Sequence, residues 1–141
     1  MSVKVGQVLW MRFKFNNSGD VSQSVHPYLI VDVDTDNNVC EIAQLDSAEG
    51  KMHKVLMRTN KLVQCRNPLE TAITKDGFAQ LDNTYRVELH EGLDNFKRTE
   101  DVISKIRLEG IIKAYRKYHE ENEIDEDKNV YLTYAELIRI Q

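Results

Sequence analysis

Two short stretches carry the side chains with the clearest capacity for proton transfer. His26 stands at the entry of an apolar run, Tyr28-Leu29-Ile30-Val31, and Asp46 and Ser47 follow the end of another. A histidine can transfer protons near neutral pH, and a carboxylate beside it can act as a base or orient the ring. Each residue also has a purely structural interpretation. His26 can start a strand by bonding to the backbone, and Asp46 and Ser47 are common where a strand turns.

Five further side chains carry groups that can take part in binding. Amides supply neutral hydrogen bonds, and lysine and arginine supply positive charge. The candidate amides are Gln44 and Asn83, and the candidate cations are Arg12, Lys51 and Lys54. The simpler interpretation of the cations is that they face solvent and keep their segments soluble.

Several familiar kinds of site are missing from the sequence. His53, His90 and His119 have no cysteine or carboxylate partner at a recognisable metal-ligand spacing. Neither a glycine-rich phosphate loop nor a Gly-x-Ser-x-Gly motif occurs. We therefore predict no metal and no cofactor.

The charge distribution is more informative than its sum. A net charge of −4 argues against a protein that coats nucleic acid non-specifically. Residues 51–75 are nevertheless rich in lysine and arginine, whereas residues 120–127 are strongly acidic. A local basic surface on an acidic protein is compatible with this pattern.

The compartment is predicted from what the 141 residues lack. No apolar run approaches the roughly 20 residues that cross a bilayer, and the first ten residues lack a secretory pattern. Cys40 and Cys65 form no paired motif and are expected to be reduced thiols. We expect a cytoplasmic protein with no membrane partner.

The elements that would position these side chains are mostly strands. Alternating apolar residues and turn-forming clusters predict a β-rich opening, a loop and a central hairpin, followed by further strands. The β-rich opening covers residues 3–15 and the loop 16–25. The hairpin covers 28–45 with its turn at 36–38, and the further strands cover 53–65 and 78–89, the latter divided near Asp82-Asn83.

One amphipathic helix follows the strands. Leu108, Ile111, Ile112 and Tyr115 form a single apolar stripe, which predicts a helix over residues 105–120. Ser104 is the expected N-cap, with Ile103 packing on Leu108. The capping-box spacing of Thr133 and Glu136 favours a short terminal helix over a strand.

The order of these elements predicts an α+β chain with a mainly antiparallel sheet. We predict a domain over residues 1–121, followed at 122–141 by an acidic linker and a short C-terminal extension.

The order of the motifs resembles the MazF/PemK toxin family. Its members open with a Gly-Asp-Val-aromatic strand, and a polar loop then leads to an Arg-Pro-apolar strand. A strand that ends near a catalytic Thr or Ser, a Leu-Asp/Glu-Gln strand and a helix capped by Leu-Ser follow in that order. The corresponding segments are Gly6-Gln7-Val8-Leu9-Trp10, His26-Pro27-Tyr28-Leu29-Ile30-Val31, Ile42-Ala43-Gln44-Leu45-Asp46-Ser47, Leu81-Asp82-Asn83 and Ile103-Ser104 with the helix after it. The resemblance spans residues 3 to about 119.

The resemblance implies a small SH3-like β-barrel with a C-terminal helix. It also implies metal-independent, sequence-selective cleavage of single-stranded RNA, a homodimer, and neutralisation by a cognate antitoxin. The ribose 2′-hydroxyl would attack the adjacent phosphate, which requires an acid, a base and donors to the developing charge.

The chain departs from the family at both catalytic positions. His26 stands in place of the arginine and cannot reproduce its bidentate grip on phosphate. The family threonine or serine falls on Asp46 or Ser47. On the resemblance, His26, Asp46 and Ser47 are the catalytic candidates, and Arg12, Gln44, Lys51, Lys54 and Asn83 bind the substrate.

Two other functions stay open. A non-catalytic module that binds protein or RNA on the same fold is favoured by the missing arginine and the acidic composition. A poison of DNA gyrase similar to the CcdB toxins ranks last, because residues 130–141 lack the Trp-Gly end of that class.

Overall fold

A computed structural model describes residues 3–19, 21–47, 51–55, 57–63, 72–73 and 75–141. These residues form an α+β structure with seven strands and three α-helices. The strands are β1 (Val8–Met11), β2 (His26–Asp34), β3 (Val39–Ser47), β4 (Asn60–Val63), β5 (Gly77–Gln80), β6 (Thr84–Glu88) and β7 (Asn129–Leu132). The helices are α1 (Met52–Val55), α2 (Lys105–Glu121) and α3 (Tyr134–Ile140), with short 3-10 helices at Glu91–Phe96 and Glu126–Lys128.

The central hairpin is formed by β2 and β3, as the sequence predicts. Tyr28 pairs with Gln44 and Ile30 with Ile42 in an antiparallel register. Asn38 in the connecting turn has a φ of 59°, a left-handed conformation that asparagine tolerates better than most residues.

The third strand is the point at which the sheet divides. One edge of β3 pairs with β2, and its other edge pairs with β6 through residues 39–42 and with β5 through residues 45–47. All of these pairs are antiparallel, and β7 then joins β6 in parallel. Among the described strands no pairing closes the sheet, so the small barrel expected from the resemblance is not confirmed.

Both faces of the sheet are covered. Tyr28 and Ile30 belong to one apolar cluster, which includes Leu137 of α3, whereas Leu29 and Val31 belong to a second cluster. Side chains alternate between the faces of a strand, and a strand buried on both faces consists of consecutive apolar residues. This is why Tyr28-Leu29-Ile30-Val31 is uninterrupted.

Helix α2 packs its apolar stripe on the second cluster. Ile111 and Tyr115 are buried there, and Ile103 and Leu108 belong to the same packing. The helix over 105–120 is therefore confirmed within one residue. Ser104 occupies the N-cap position, as predicted, but its side chain caps no backbone N–H. Its Oγ instead accepts a hydrogen bond from the Arg107 side chain at 3.0 Å.

The segment predicted as a strand over 53–65 has two parts. Residues 52–55 form α1, whose first turn bonds Lys54 N–H to the Lys51 carbonyl at 2.9 Å, and the strand begins at Asn60. Thr59 to Val63 then run beside β5. Cys65 lies outside the described residues. Cys40 is a buried free thiol, and burial raises its pKa to about 12.

The chain after α2 is part of the same core. Val130 and Leu132 of β7 and Leu137 of α3 are buried in the first cluster. The predicted terminal helix is confirmed, together with its Thr133–Glu136 capping box. Strand β7 was not predicted. No helix in the described ranges combines the length and the apolar character that a membrane crossing needs.

Substitution of Thr133 tests the capping box. Its Oγ accepts from the Glu136 N–H at 3.1 Å, and the Glu136 side chain accepts from the Thr133 N–H at 3.0 Å. We expect Thr133→Ala to lower the free energy of unfolding by about 1 kcal/mol in urea titrations. Thr133→Ser keeps the hydroxyl and should lower the free energy of unfolding much less. Equal losses in both variants would contradict a role for the hydroxyl.

Candidate functional site

The end of β3 brings most of the predicted site residues to one region. Gln44 and Asp46 are two residues apart and so project to the same side of the strand. Asp46 pairs with Phe78 of β5 in the sheet register. The side chains of Asp46 and Phe78 line two cavities, which therefore share a wall.

The first cavity has a volume of about 490 Å³ and contains the three predicted catalytic residues. His26 at the start of β2, Asp46 and Ser47 at the end of β3, and Lys51 before α1 all line it. The sequence separates these residues by up to 25 positions, and the β2–β3 pairing brings them together. This cavity is the candidate active site.

Three more residues of the first cavity were not predicted to be functional. Lys75 and Arg98 add positive charge to its lining. The Arg98 guanidinium carbon lies 3.8 Å from the centre of the Trp10 ring, a cation–π contact that holds an otherwise exposed side chain at the cavity. Trp10 was predicted to fill the core. It does pack on the second apolar cluster, but it is only half-buried and its other side faces the cavity.

Asp46 is held by two partners. Its Oδ1 lies 3.8 Å from Lys51 Nζ, and its Oδ2 accepts a hydrogen bond of 2.8 Å from Gln80 Nε2. His26 has a different polar neighbour, since its Nε2 lies 3.4 Å from Ser24 Oγ. The carboxylate therefore holds Gln80 by a hydrogen bond and lies within ion-pair distance of Lys51. Among the described residues these contacts of Asp46 do not include His26, so they do not show Asp46 orienting its ring, one of the roles considered from the sequence.

The second cavity, of about 440 Å³, lies on the other side of Asp46. Gln44, Lys54 and Asn83 line it, so three of the five predicted substrate-binding residues meet here, next to the catalytic candidates. Gln44 and Asn83 are 4% and 2% exposed. Their side-chain oxygens, Gln44 Oε1 and Asn83 Oδ1, have no hydrogen-bond partner among the described residues. Burying a polar atom unpaired costs about 1–3 kcal/mol.

Two tyrosines are buried near this second cavity: Tyr85 lines it, and the ring centre of Tyr28 lies 6.3 Å from that of Tyr85. Burial, with smaller contributions from Tyr85 and Asp46, raises the pKa of the Tyr28 phenol. Burial and the nearby Asp82 likewise raise the pKa of Tyr85, whose hydroxyl donates to the Phe15 carbonyl at 2.8 Å. Both phenols therefore stay protonated at neutral pH and can act only as neutral groups.

Arg12 lines neither cavity within the described part of the chain. Its Nε donates to the Ser22 carbonyl at 3.0 Å, and its backbone exchanges hydrogen bonds with the Gln141 side chain. The structure thus separates Arg12 from the other seven predicted residues.

The first cavity combines a histidine and a hydroxyl with three cations and with the carboxylates of Asp46 and Asp76. The histidine can move a proton, and cations that the carboxylates leave in excess can stabilise a phosphate. Among the described residues no three His, Cys, Asp or Glu side chains are grouped so that they could hold a metal ion.

Comparison with protein-family models and with the curated proteins finds no match to this chain.

Proposed function

We propose that this chain is a growth-inhibiting endoribonuclease similar to the MazF/PemK toxins, which cleaves single-stranded RNA without a metal. The observation that supports it is the grouping of His26, Ser47 and Lys51 with Lys75 and Arg98 around one cavity of about 490 Å³. An acid–base side chain beside several cations is the combination that phosphoryl transfer to a neighbouring hydroxyl requires.

The reaction is attack by the ribose 2′-oxygen on the adjacent phosphorus. His26 accepts the 2′-hydroxyl proton as the O2′–P bond forms. The P–O5′ bond breaks as a solvent water donates a proton to the departing 5′-oxygen, and His26 returns its proton to the solvent. Lys51, Lys75 and Arg98 stabilise the charge on the phosphate oxygens, and Ser47 donates a neutral hydrogen bond. Asp46 is a positioning residue, because its contact with Lys51 directs that cation.

The fold and the assembly expected of this class are part of the proposed function. The antiparallel β1–β2–β3 arrangement, with α2 packed on the cluster of one face, is compatible with a small SH3-like barrel. In this proposal the toxin is a cytoplasmic homodimer whose partners are single-stranded RNA and a cognate antitoxin.

The chemistry of the RNA ends tests the reaction. We expect purified, antitoxin-free protein in EDTA to produce fragments with 2′,3′-cyclic phosphate and 5′-hydroxyl ends, because the phosphate stays on the fragment that carries the attacking oxygen. End-specific labelling and sequencing identify the ends. A substrate with 2′-O-methyl groups should resist cleavage. Cleavage of that substrate, or 5′-phosphate ends, would contradict the mechanism.

A non-catalytic binding module on the same fold is the second candidate. One observation favours it: the carboxylate of Asp46 lies in the wall of the cavity and would repel a phosphate unless Lys51 offsets it. This function predicts RNA or protein binding without turnover. A gyrase poison is the third candidate, and a gyrase capture assay separates it from the other two.

A further inference from the structure

Arg98 brings a positive charge to the first cavity without being paired to a carboxylate. Its guanidinium carbon lies 3.8 Å from the centre of the Trp10 ring, and among the described residues the guanidinium makes no ion pair. The residue is exposed and lines the cavity. Arginine pairs strongly with carboxylates as well as with phosphates, so a nearby carboxylate would compete with a substrate phosphate for this side chain.

The segment that carries Arg98 runs beside β1. Leu9 is paired with Lys97 in an isolated antiparallel bridge, and the backbone of Lys97 is extended, with φ −80° and ψ 141°. Adjacent residues of an extended chain project to opposite sides. Arg98 and Trp10 therefore lie on one side as diagonal neighbours, a separation that long and aromatic side chains can span. Lys97 projects to the other side.

The Lys97 side chain is charged although only 2% of it is exposed. Its Nζ lies 2.6 Å from Asp94 Oδ1 and 2.8 Å from Glu100 Oε2. Burial alone would lower the pKa of this ammonium, but the two carboxylates outweigh burial and the pKa is raised. A buried charge is retained only where it is paired, so Lys97 stays protonated and holds both carboxylates.

The two carboxylates that Lys97 holds are close to Arg98 along the chain. Asp94 lies four positions before Arg98, and Glu100 lies two positions after it. Without the ammonium between them, both would be unpaired negative charges within a few residues of an exposed guanidinium. Opposite charges at such distances attract, and we expect them to draw Arg98 away from Trp10 and from the cavity.

We propose that Lys97 is a positioning residue of the candidate active site. By holding Asp94 and Glu100, its ammonium keeps Arg98 against Trp10 and available to a substrate phosphate. This inference rests on the proposed ribonuclease function, because that function gives Arg98 its role. Lys97 lines neither cavity within the described part of the chain, so it acts on the reaction only through Arg98.

The position of Arg98 can be measured without cleavage, because Trp10 is the only tryptophan in the chain. The guanidinium covers one side of the indole ring, so its departure should make the ring more accessible to acrylamide. We expect the constant for quenching of tryptophan fluorescence to rise in Arg98→Ala and to rise by a similar amount in Lys97→Met. Lys105→Met is the matched control, because Lys105 pairs with Glu109 on α2 and lines neither cavity. Its quenching constant should equal that of the wild type.

RNA cleavage shows whether the effect of Lys97 passes through Arg98. We expect Lys97→Met to lower kcat/KM about tenfold, mainly through kcat, because stabilisation of the charge in the transition state is lost. In the Arg98→Ala background the same substitution should lower kcat/KM less than about twofold, since residues that act through one another give non-additive effects. Asp94→Asn and Glu100→Gln combined with Lys97→Met leave neither carboxylate to compete for Arg98, so this triple variant should recover most of kcat/KM. Lys97→Arg keeps the charge and should resemble the wild type.

The possible outcomes separate this proposal from the ribonuclease function. Wild-type quenching in Lys97→Met, or an equal loss of kcat/KM with and without Arg98, would overturn the positioning role. If Lys97→Met does not fold in urea titrations, low activity of the triple variant or of Lys97→Arg would overturn it instead. If the wild type cleaves no RNA, the ribonuclease function fails, and the quenching constants still decide whether Lys97 keeps Arg98 in place.

Discussion

Replacing His26 by alanine is expected to reduce the rate of RNA cleavage about a hundredfold or more and to abolish growth arrest on induced expression. General acid–base catalysis by a single side chain typically contributes that factor or more. His26 is half-buried at the start of β2 and lines the first cavity. The rate is measured with a defined single-stranded RNA under single-turnover conditions.

The stability of the His26→Ala variant should be close to that of the wild type. Among the described residues, the polar and aromatic contacts of the ring are a long 3.4 Å approach to Ser24 and a contact with Phe15 at 5.9 Å between ring centres. An unchanged urea midpoint would therefore accompany the lost activity. His53→Ala is the matched control, because His53 is exposed on α1 and lines neither cavity. Full cleavage activity of His26→Ala would remove His26 from the mechanism, whereas the absence of cleavage by the wild type would favour the binding module.

The fold was predictable where one local pattern decides the structure. The apolar run Tyr28–Val31 fixes a strand buried on both faces, and the stripe from Leu108 to Tyr115 fixes α2. The Thr133–Glu136 spacing fixes the start of α3, because a capping box is a contact within four residues.

The elements that were missed depend on contacts between distant segments. β7 is only four residues long and follows an acidic stretch, and its position comes from the parallel pairing of Val130 with Tyr85. A strand specified by such a partner leaves little signal in its own sequence. Likewise, α1 is a single helical turn, and nothing in its spacing distinguishes it from the start of a strand.

The candidate site could be predicted only in part for the same reason. His26, Asp46 and Ser47 stand at strand ends, where chain order is informative, and they do line one cavity. Arg98 arrives from the segment after a 3-10 helix and is held by its contact with Trp10. The bond between Gln80 and Asp46 spans 34 positions and depends on the β3–β5 register. Such contacts leave no mark in spacing or composition.

The division of β3 between two partners is what gives the site its form. Because β6 pairs with the first half of the strand and β5 with the last three residues, Gln44 falls between the two partners. The second cavity lies beside this gap, and the first is bounded by the β5 side. A change that displaces β5 from β3 should therefore affect both cavities at once.

Gly77→Ala is expected to cause the largest loss of stability, about 3 kcal/mol or more. Gly77 lies in β5 between Ser47 of β3 and Val63 of β4. An added methyl group would overlap the carbonyl oxygen of Asp46 and lie 3.1 Å from its carbonyl carbon. Both are backbone atoms of a paired strand, so neither can move aside without breaking the β3–β5 ladder.

The matched control is Gly110→Ala in the middle of α2, where an added methyl group meets no atom within 4 Å. Helix propensity alone should raise the free energy of unfolding of this variant by about 0.5–1 kcal/mol. Urea titrations of the two variants should therefore give changes in the free energy of unfolding of opposite sign. Cleavage should fall with Gly77→Ala even well below the unfolding midpoint, because Asp46 and Phe78, which the two cavities share, move with the strands. Wild-type stability and activity in Gly77→Ala would contradict both the close pairing of β3 with β5 and the dependence of the two cavities on that pairing.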